Sequence, residues 1–478
     1  NFSPNSPMLT LLPRRCWLLR LGFASLASAL AACGGLPSKP SAPPLAQDPW
    51  IQVYFNQSQN QIYTEPYRKK RRSGDDLEQV LVDAIDSAQT SVLVAVQELR
   101  LPRVAQALAD RHRAGVMVQV VLENDYSQPF SQMGTGQIAG LEERDRQRYQ
   151  EFIQLVDQNG DGQLSEAEIR QGDAIVILDE AGVPRLDDTA DGSKGSGLMH
   201  HKFVVLDGQT VVTGSTNFTP SGTHGDFASP ESRGNANHLL VLDSAELAQI
   251  FTQEFQILWG DGPGKTSNSR FGLQKPRRAP QKLTVGSTAV TVHFSPTSKG
   301  DGWPVSSNGL IGQTLEMAQR RVDLALFVFS DQPIVDRLQA RHDQGVQVRA
   351  LIDPAFAFRN YSEGLDMLGV ALGDKNCKVE AGNRPWTNPI ATMGVPDLPR
   401  GDKLHHKFAV IDSQRVITGS HNWSASANYQ NDETLLILEN STVAAHFTRE
   451  FDRLYGTAYL GLPKSTRSKL QEYQSRCL

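Results

Sequence analysis

Apolar residues follow two alternating rhythms along this chain. Val92-Leu93-Val94-Ala95-Val96 is a near-continuous run of strand length, and so is Val116 to Leu122. Between them lies a stretch with helix-like spacing that ends in Arg111-His112-Arg113-Ala114-Gly115. Strands covered on both faces read this way, because a parallel sheet layered with helices needs no polar face. The pattern then recurs. Ser91 to Asp125 aligns without gaps onto Arg321 to Ala355, 230 positions later, with Val322 to Phe329, Arg341-His342-Asp343-Gln344-Gly345 and Val346 to Ile352 as the matching pieces. Each half is therefore expected to be a βαβ-based layer. His112 and His342 close the two predicted helices and read as capping or surface residues, since a cation is favoured at a helix C-terminus.

A chain of 478 residues exceeds one ordinary core, which agrees with two lobes. The boundaries read as 50–260 and 285–478, with a basic, Pro-containing linker over 261–284. A hydrophobic fraction of 39% and a charged fraction of 21% are those of a soluble globular protein. The formal net charge of -5 excludes a global attraction for polyanions, so an anionic substrate needs a local basic surface. No Cys-x-x-Cys pair is present among Cys16, Cys33, Cys377 and Cys477, which argues against a cysteine metal site.

The N-terminus reads as an address. Arg14, Arg15 and Arg20 precede the apolar run Leu21 to Ala32, which is too short to span a bilayer and suits a signal peptide over 1–33. Leu30-Ala31-Ala32-Cys33-Gly34 resembles a bacterial lipobox, which implies a lipid anchor on Cys33 and a protein facing the periplasm or cell exterior. The Pro-rich segment 34–49 is expected to be an extended tether. Export would leave Cys377 and Cys477 free to pair, and two unpaired buried thiols are the alternative.

The chemistry sits in a second repeat. His200, Lys202 and Asp207 form one His-x-Lys-x-x-x-x-Asp motif, and His405, Lys407 and Asp412 form another. Alternation along a strand puts each His and Lys on one face, where a phosphate oxygen could sit between them. Gly-Ser-x-Asn follows each motif at the same distance, giving Ser215 and Asn217 in one half and Ser420 and Asn422 in the other.

These motifs resemble those of the phospholipase D superfamily. The resemblance implies an α/β fold of two halves about a pseudo-twofold axis, with mixed sheets flanked by helices and one active site between the halves. It also implies that one histidine attacks phosphorus to form a phosphohistidine while the other serves the leaving alcohol and then water, without a metal. His200 is the expected nucleophile. The lysines and the Ser and Asn side chains would hold the phosphate oxygens, and Asp207 and Asp412 would support the motif structurally. A further family feature, Asn-x-Glu, is present as Asn431 and Glu433; the first half has Asn235-Ala236-Asn237-His238, with Asn237 in the carboxylate's place. His201 and His406 are expected to point to the other face as packing residues.

The first half carries an insertion, about 141–172, that includes Asp157-Gln158-Asn159-Gly160-Asp161-Gly162-Gln163-Leu164-Ser165-Glu166-Ala167-Glu168. Asp157, Asn159, Asp161, the Gln163 carbonyl, a water-mediated Ser165 and Glu168 fit the ligand positions of an EF-hand loop, so calcium is expected there, away from the histidines.

Three phosphodiester readings follow. The leading one is hydrolysis of phospholipid head groups at a membrane by a chain acting as a monomer. The alternative is an exported non-specific endonuclease, for which Lys69-Lys70-Arg71-Arg72, Arg277 and Arg278 could contact backbone phosphates. A cardiolipin synthase-like phosphatidyl transferase stands third, and a non-enzymatic calcium-binding scaffold is opposed by two complete His-Lys pairs.

Overall fold

The computed structural model describes residues 42–477 except 194 and 196, so the signal peptide, Cys33 and the first part of the tether lie outside the described residues. The first sheet contains β1 (Ile51–Phe55), β2 (Ser91–Val96), β3 (Met117–Leu122), β4 (Arg185–Asp187), β5 (Lys202–Leu206), β6 (Thr210–Gly214) and β7 (His238–Asp243), in the order β1-β7-β6-β5-β2-β3-β4. The second contains β8 (Gln281–Val285), β9 (Thr288–Ser295), β10 (Arg321–Leu326), β11 (Gln347–Ile352), β12 (Met393–Val395), β13 (Lys407–Ile411), β14 (Arg415–Gly419), β15 (Glu433–Glu439) and β16 (Tyr459–Leu460), in the order β8-β9-β15-β14-β13-β10-β11-β12-β16. The seven strands of the first sheet therefore recur in the same order within the second, as β9-β15-β14-β13-β10-β11-β12. The β-branched runs β2 with β3, and β10 with β11, pair in parallel as each βαβ unit requires. The motif strands β5 and β13 pair antiparallel to β2 and β10, which makes both sheets mixed.

One apolar core draws on both sheets. Phe203 and Val205 of β5, Phe408 and Val410 of β13, Phe251 and Phe255 of the helix Ala245–Trp259, and Phe447 and Phe451 of the helix Ser441–Tyr455 all belong to it. Leu77–Ser87 and Pro102–Arg113 cover the outer face of the first sheet, and Ser307–Leu315 and Gln332–His342 that of the second. Burying both faces of the sheets explains why β5 and β13 are apolar at every position after the motif lysine.

Two boundaries differ from expectation. Gln281–Val285 pairs with Thr288–Ser295, so the sheet begins inside the segment read as linker; the prolines stop at Pro280 and the chain is then free to pair. The end of the tether is packed. Asp48 accepts from the amides of Trp50 and Ile51 and from Asn440, and the Pro43 and Ala46 carbonyls contact Arg449 and His446. Hydrogen bonds from a neighbouring helix override the extended preference of a Pro-rich segment. No described helix is long and apolar enough to cross a membrane.

Of the two alternatives for the cysteines, the structure has the pair: Cys377 and Cys477 form a disulfide that closes a separation of 100 residues. It fastens the helix Lys464–Cys477, which buries only Thr466 and Tyr473. So little apolar contact cannot hold a helix against its own fraying. Reduction, or Cys477→Ser, should therefore raise amide hydrogen exchange across 464–477 at least tenfold while leaving β5 and β13 protected, as read by exchange mass spectrometry.

Candidate active site

The motif histidines stand just ahead of β5 and β13, and each is held by the opposite half. His200 N donates to Asp432 O at 3.0 Å and Asp432 N to Leu198 O at 2.8 Å. Reciprocally, His405 N donates to Ala236 O at 3.1 Å and Ala236 N to Lys403 O at 2.8 Å. Asn431 Oδ1 accepts from Leu198 N (3.3 Å), and Asn235 Oδ1 accepts from Lys403 N (2.9 Å). The Asn-x-Glu segment and its degenerate copy therefore act across the interface between the halves.

The ring contacts are crossed in the same way. His200 Nδ1 lies 2.7 Å from Glu433 Oε2, and His405 Nδ1 lies 3.0 Å from Asn237 Oδ1. Asn237 Nδ2 donates to Gly222 O (3.0 Å), which turns its oxygen toward His405. Each ring is thus fixed with Nδ1–H donating and Nε2 carrying a lone pair. Ser215 Oγ donates to Asn237 Oδ1 and Ser420 Oγ to Glu433 Oε2, each at 2.8 and 2.7 Å respectively. Both serines are fully buried. Their hydroxyls are committed to the acceptors behind the rings, a correction to the expectation that they hold phosphate oxygens.

Both rings are driven to the neutral form. Burial lowers His200 well below the usual imidazole value, and the charges of Lys202 and Lys407 push it further. Burial, then Lys407, Lys202 and His200 itself, do the same to His405. With the crossed ring contacts, this mutual influence brings both rings and both lysines to one site between the halves. Lys202 is fully buried, and desolvation lowers it to about 7 although Glu433 and Glu98 pull the other way. Lys202 Nζ donates to His200 O at 2.8 Å and Lys407 Nζ to His405 O at 2.7 Å.

The walls differ. Beside Lys202, Gln97 Oε1 lies 3.5 Å from the ammonium and accepts from Asn217 Nδ2 at 3.2 Å. Its counterpart 230 positions on is Phe327, whose ring lies 4.9 Å from the His405 ring and 4.9 Å from Lys407 Nζ. Asn217 and Asn422 each leave Oδ1 buried without a partner.

Asp207 and Asp412 sit at the far ends of β5 and β13, in left-handed turns with φ of 53° and 52°. Asp207 accepts from the amides of Gln89, Thr90 and Ser91, and Asp412 from those of Gln319, Arg320 and Arg321. They pin the turn before each first βαβ strand and lie away from the pocket.

His201 and His406 do turn to the other face, but into polar contacts. His201 Nε2 meets Glu254 Oε1 (2.8 Å) and its Nδ1 meets Thr434 Oγ1 (2.9 Å). His406 Nε2 meets Glu450 Oε1 (3.1 Å), and His238 Nδ1 lies 3.1 Å from His406 Nδ1. Sequence reasoning missed Glu254, Glu450 and His238. The repeated Phe-Thr-x-Glu-Phe of Phe251 to Phe255 and Phe447 to Phe451 carried the signal, a glutamate on the apolar face of a helix. His201, Glu254 and Asp432 form the one described group of three ligands close enough for a metal ion. Lys275 Nζ bonds Glu254 at 2.7 Å and Asp432 at 2.6 Å, so an ammonium already supplies the positive charge there.

The insertion folds as helix Glu143–Val156, loop and helix Glu166–Gly172. Gly160 and Gly162 take the left-handed conformation. Asp157, Asn159 and Asp161 curl inward to accept loop amides, and the Glu168 carboxylate closes the loop onto Gln158, Asn159 and Ser165. The oxygens expected to ligate calcium are thus engaged with amides of the loop itself, and among the described residues Asp157, Asp161 and Glu168 are not gathered within reach of one ion.

A family model described as cardiolipin synthase, PLD-like domain, matches residues 81–259 and 311–455. The chain belongs to the phospholipase D superfamily. Among relatives of this phospholipase D-like protein, mitochondrial cardiolipin hydrolase of Canis lupus familiaris is 28% identical over 193 residues, which is 40% of this chain and 64% of that one. Protein FAM83D of Bos taurus is 32% identical over 173 residues, 36% of this chain and 28% of that one. Both matches span less than two thirds of the relative. The phosphatidylserine synthase structure from Haemophilus influenzae Rd KW20 shares the fold with a TM-score of 0.52 and 11% identity, over 90% of this chain and 94% of that one.

Amide donors hold both motif aspartates below the ordinary carboxyl range, although partial burial alone would raise them. Their folded-state value is depressed, so the stability they contribute is present above the unfolded value of about 3.9 and is lost as pH falls through the folded one. Asp412→Ala should cost about 1–3 kcal/mol at neutral pH and flatten the acid limb of a urea-unfolding series below about pH 4.

Proposed function

We propose that this protein is a phosphodiesterase that hydrolyses phospholipid head-group phosphodiesters through a phosphohistidine on His200. The observation that carries the reading is the crossed pair of contacts, Glu433 to His200 and Asn237 to His405. His200 Nε2 attacks phosphorus as the bond to the leaving oxygen breaks, and the imidazolium character that develops is stabilised by the Glu433 carboxylate behind it. His405 gives its Nε2 proton to the leaving alcohol, then takes a proton from the water that breaks the phosphorus–nitrogen bond. Backed by a neutral amide, His405 is the weaker base of the two, which suits the proton donor. A bound phosphate supplies the negative charge that protonated His405 needs between two lysines. Lys202 and Lys407 neutralise the non-bridging oxygens, and the Asn217 and Asn422 carboxamides adjoin them.

Some of the cations on which a nuclease reading depends are engaged within the fold, while Arg71 is exposed. Arg72 donates to Ser232 O, Lys70 to Pro230 O, Arg277 pairs with Asp301 and Arg278 with Glu254. Phospholipid is the reading favoured by the name of the cardiolipin hydrolase relatives. The Cys377–Cys477 disulfide supports export to an oxidising compartment. The loop Asp157–Glu168 is proposed to bind calcium through Asp157, Asn159, Asp161, the Gln163 carbonyl and Glu168, in a structural or regulatory role.

His405→Ala treated with a nitrophenyl phosphodiester, whose leaving group needs no proton, should accumulate an acid-labile phosphoenzyme on the peptide containing His200. No phosphoenzyme from His405→Ala, with one forming on the peptide containing His405 in His200→Ala, would reverse the roles. Wild-type protein should release head group from phosphatidylcholine vesicles, and His200→Ala should lose at least about 10³-fold in kcat. Cleavage of plasmid DNA with no lipid turnover would overturn the substrate assignment.

A further inference from the structure

Asp432 has no acidic counterpart in the first half. Asn235-Ala236-Asn237 stands where the second half has Asn431-Asp432-Glu433, and the two backbones do matching work: Asp432 bridges to Met199 just ahead of His200, and Ala236 to Leu404 just ahead of His405. Only Asp432 adds a carboxylate, and it is buried. Both of its oxygens accept from Gly272 N at 3.0 Å, and Oδ1 also accepts from Lys275 Nζ at 2.6 Å. Gly272 and Lys275 belong to one turn of the interlobe linker. Lys275 Nζ donates further to Glu254 Oε1 and to Ser295 O, each at 2.7 Å. An ammonium has three protons to give, and these three acceptors use them all. The lysine side chain is 5% exposed, and Asp432 and Glu433 hold it charged against the effect of its burial.

The helix Ser441–Tyr455 neutralises its buried Glu450 from within, through Arg453 at 2.7 Å. On the helix Ala245–Trp259 the matching glutamate is Glu254, and Ile257 stands in place of that arginine, so the cations Lys275 and Arg278 reach it from the linker. Of the two, Lys275 is the one bonded to Asp432. We propose that Lys275 is a positioning residue for His200, clamping Asp432 so that this residue and Glu433 hold the backbone and ring of the nucleophile for attack. The proposal rests on the phosphohistidine reading above. Asp432 O accepts from His200 N at 3.0 Å, and Glu433, next in the chain, lies 2.7 Å from His200 Nδ1, so a displaced Asp432 disturbs both contacts. Glu433 is the first residue of β15; regular pairing begins there, and the clamp braces the residue before it. Without the ammonium, a buried carboxylate loses its ion-pair partner and turns toward water, drawing its backbone with it. Behind His405 the equivalent seat, Ala236, offers no side-chain acceptor to clamp.

In the full chain carrying His405→Ala, a nitrophenyl phosphodiester reports the rate of phosphoenzyme formation. Adding Lys275→Met should lower that rate at saturating substrate at least about tenfold while the half-saturating concentration stays within about twofold, because the loss lies in alignment rather than in binding. Arg278→Met removes the other cation on Glu254 and should leave the rate within about twofold, which separates positioning from a general loss of stability. With His405 in place, histidine-selective nitrogen-15 NMR should show Lys275→Met shifting the His200 ring and not the His405 ring. Asp432→Ala, which gives this seat the side chain of its first-half counterpart, should reproduce the loss of rate and decides the matter if Lys275→Met does not fold. An unchanged rate in Lys275→Met, or an equal fall in Arg278→Met, would overturn the proposal. A His405→Ala protein that forms no phosphoenzyme at all contradicts the phosphohistidine reading instead, and the clamp then stands or falls on the His200 ring signal.

Discussion

Everything at the catalytic centre depends on hydrogen bonds that run across the interface between the halves. Glu433 belongs to the second sheet and fixes a histidine of the first, while Asn237 belongs to the first and fixes a histidine of the second. Each motif strand is also continued by a segment of the opposite half, through the bridges Met199 to Asp432 and Ala236 to Leu404. Neither half alone can therefore hold its own imidazole in a defined tautomer. The shared apolar core, with Phe251, Phe255, Phe447 and Phe451 between the sheets, keeps the two halves in the register that these contacts require.

Duplication supplies the frame, and departures from it supply the chemistry. A symmetric site would give two histidines of equal basicity. Replacing one carboxylate by the Asn237 amide removes the charge behind His405 and keeps the hydrogen bond, the asymmetry on which the proposed division of roles rests. Exchanging Gln97 for Phe327 gives the pocket one polar and one aromatic wall. The lysines are buried, and desolvation weakens the hold of each on its proton, so a bound anion would favour their charged form.

Much of this was legible in the sequence. The repeat of strand, helix and strand gave the βαβ units, because burial on both faces leaves no polar alternation to confuse the period. The paired motifs located the histidines and lysines. The crossing was not legible, since the contacts join residues 233 and 168 positions apart and periodicity carries no information on partners so distant. Ser215 and Ser420 look like phosphate ligands in sequence, whereas their hydroxyls donate to Asn237 and Glu433, partners that spacing does not reveal. The Pro-rich segment before Trp50 reads as a tether from composition, while hydrogen bonds to the helix Ser441–Tyr455 order its last residues.

The central claim is that the rings are oriented from the opposite half. Histidine-selective nitrogen-15 NMR of the unliganded protein reads it directly, through the protonation of each ring nitrogen. The account predicts Nδ1–H on both His200 and His405, with Glu433→Gln shifting His200 alone and Asn237→Ser shifting His405 alone. An Nε2–H tautomer on either ring, or a Glu433→Gln effect confined to His405, would contradict it.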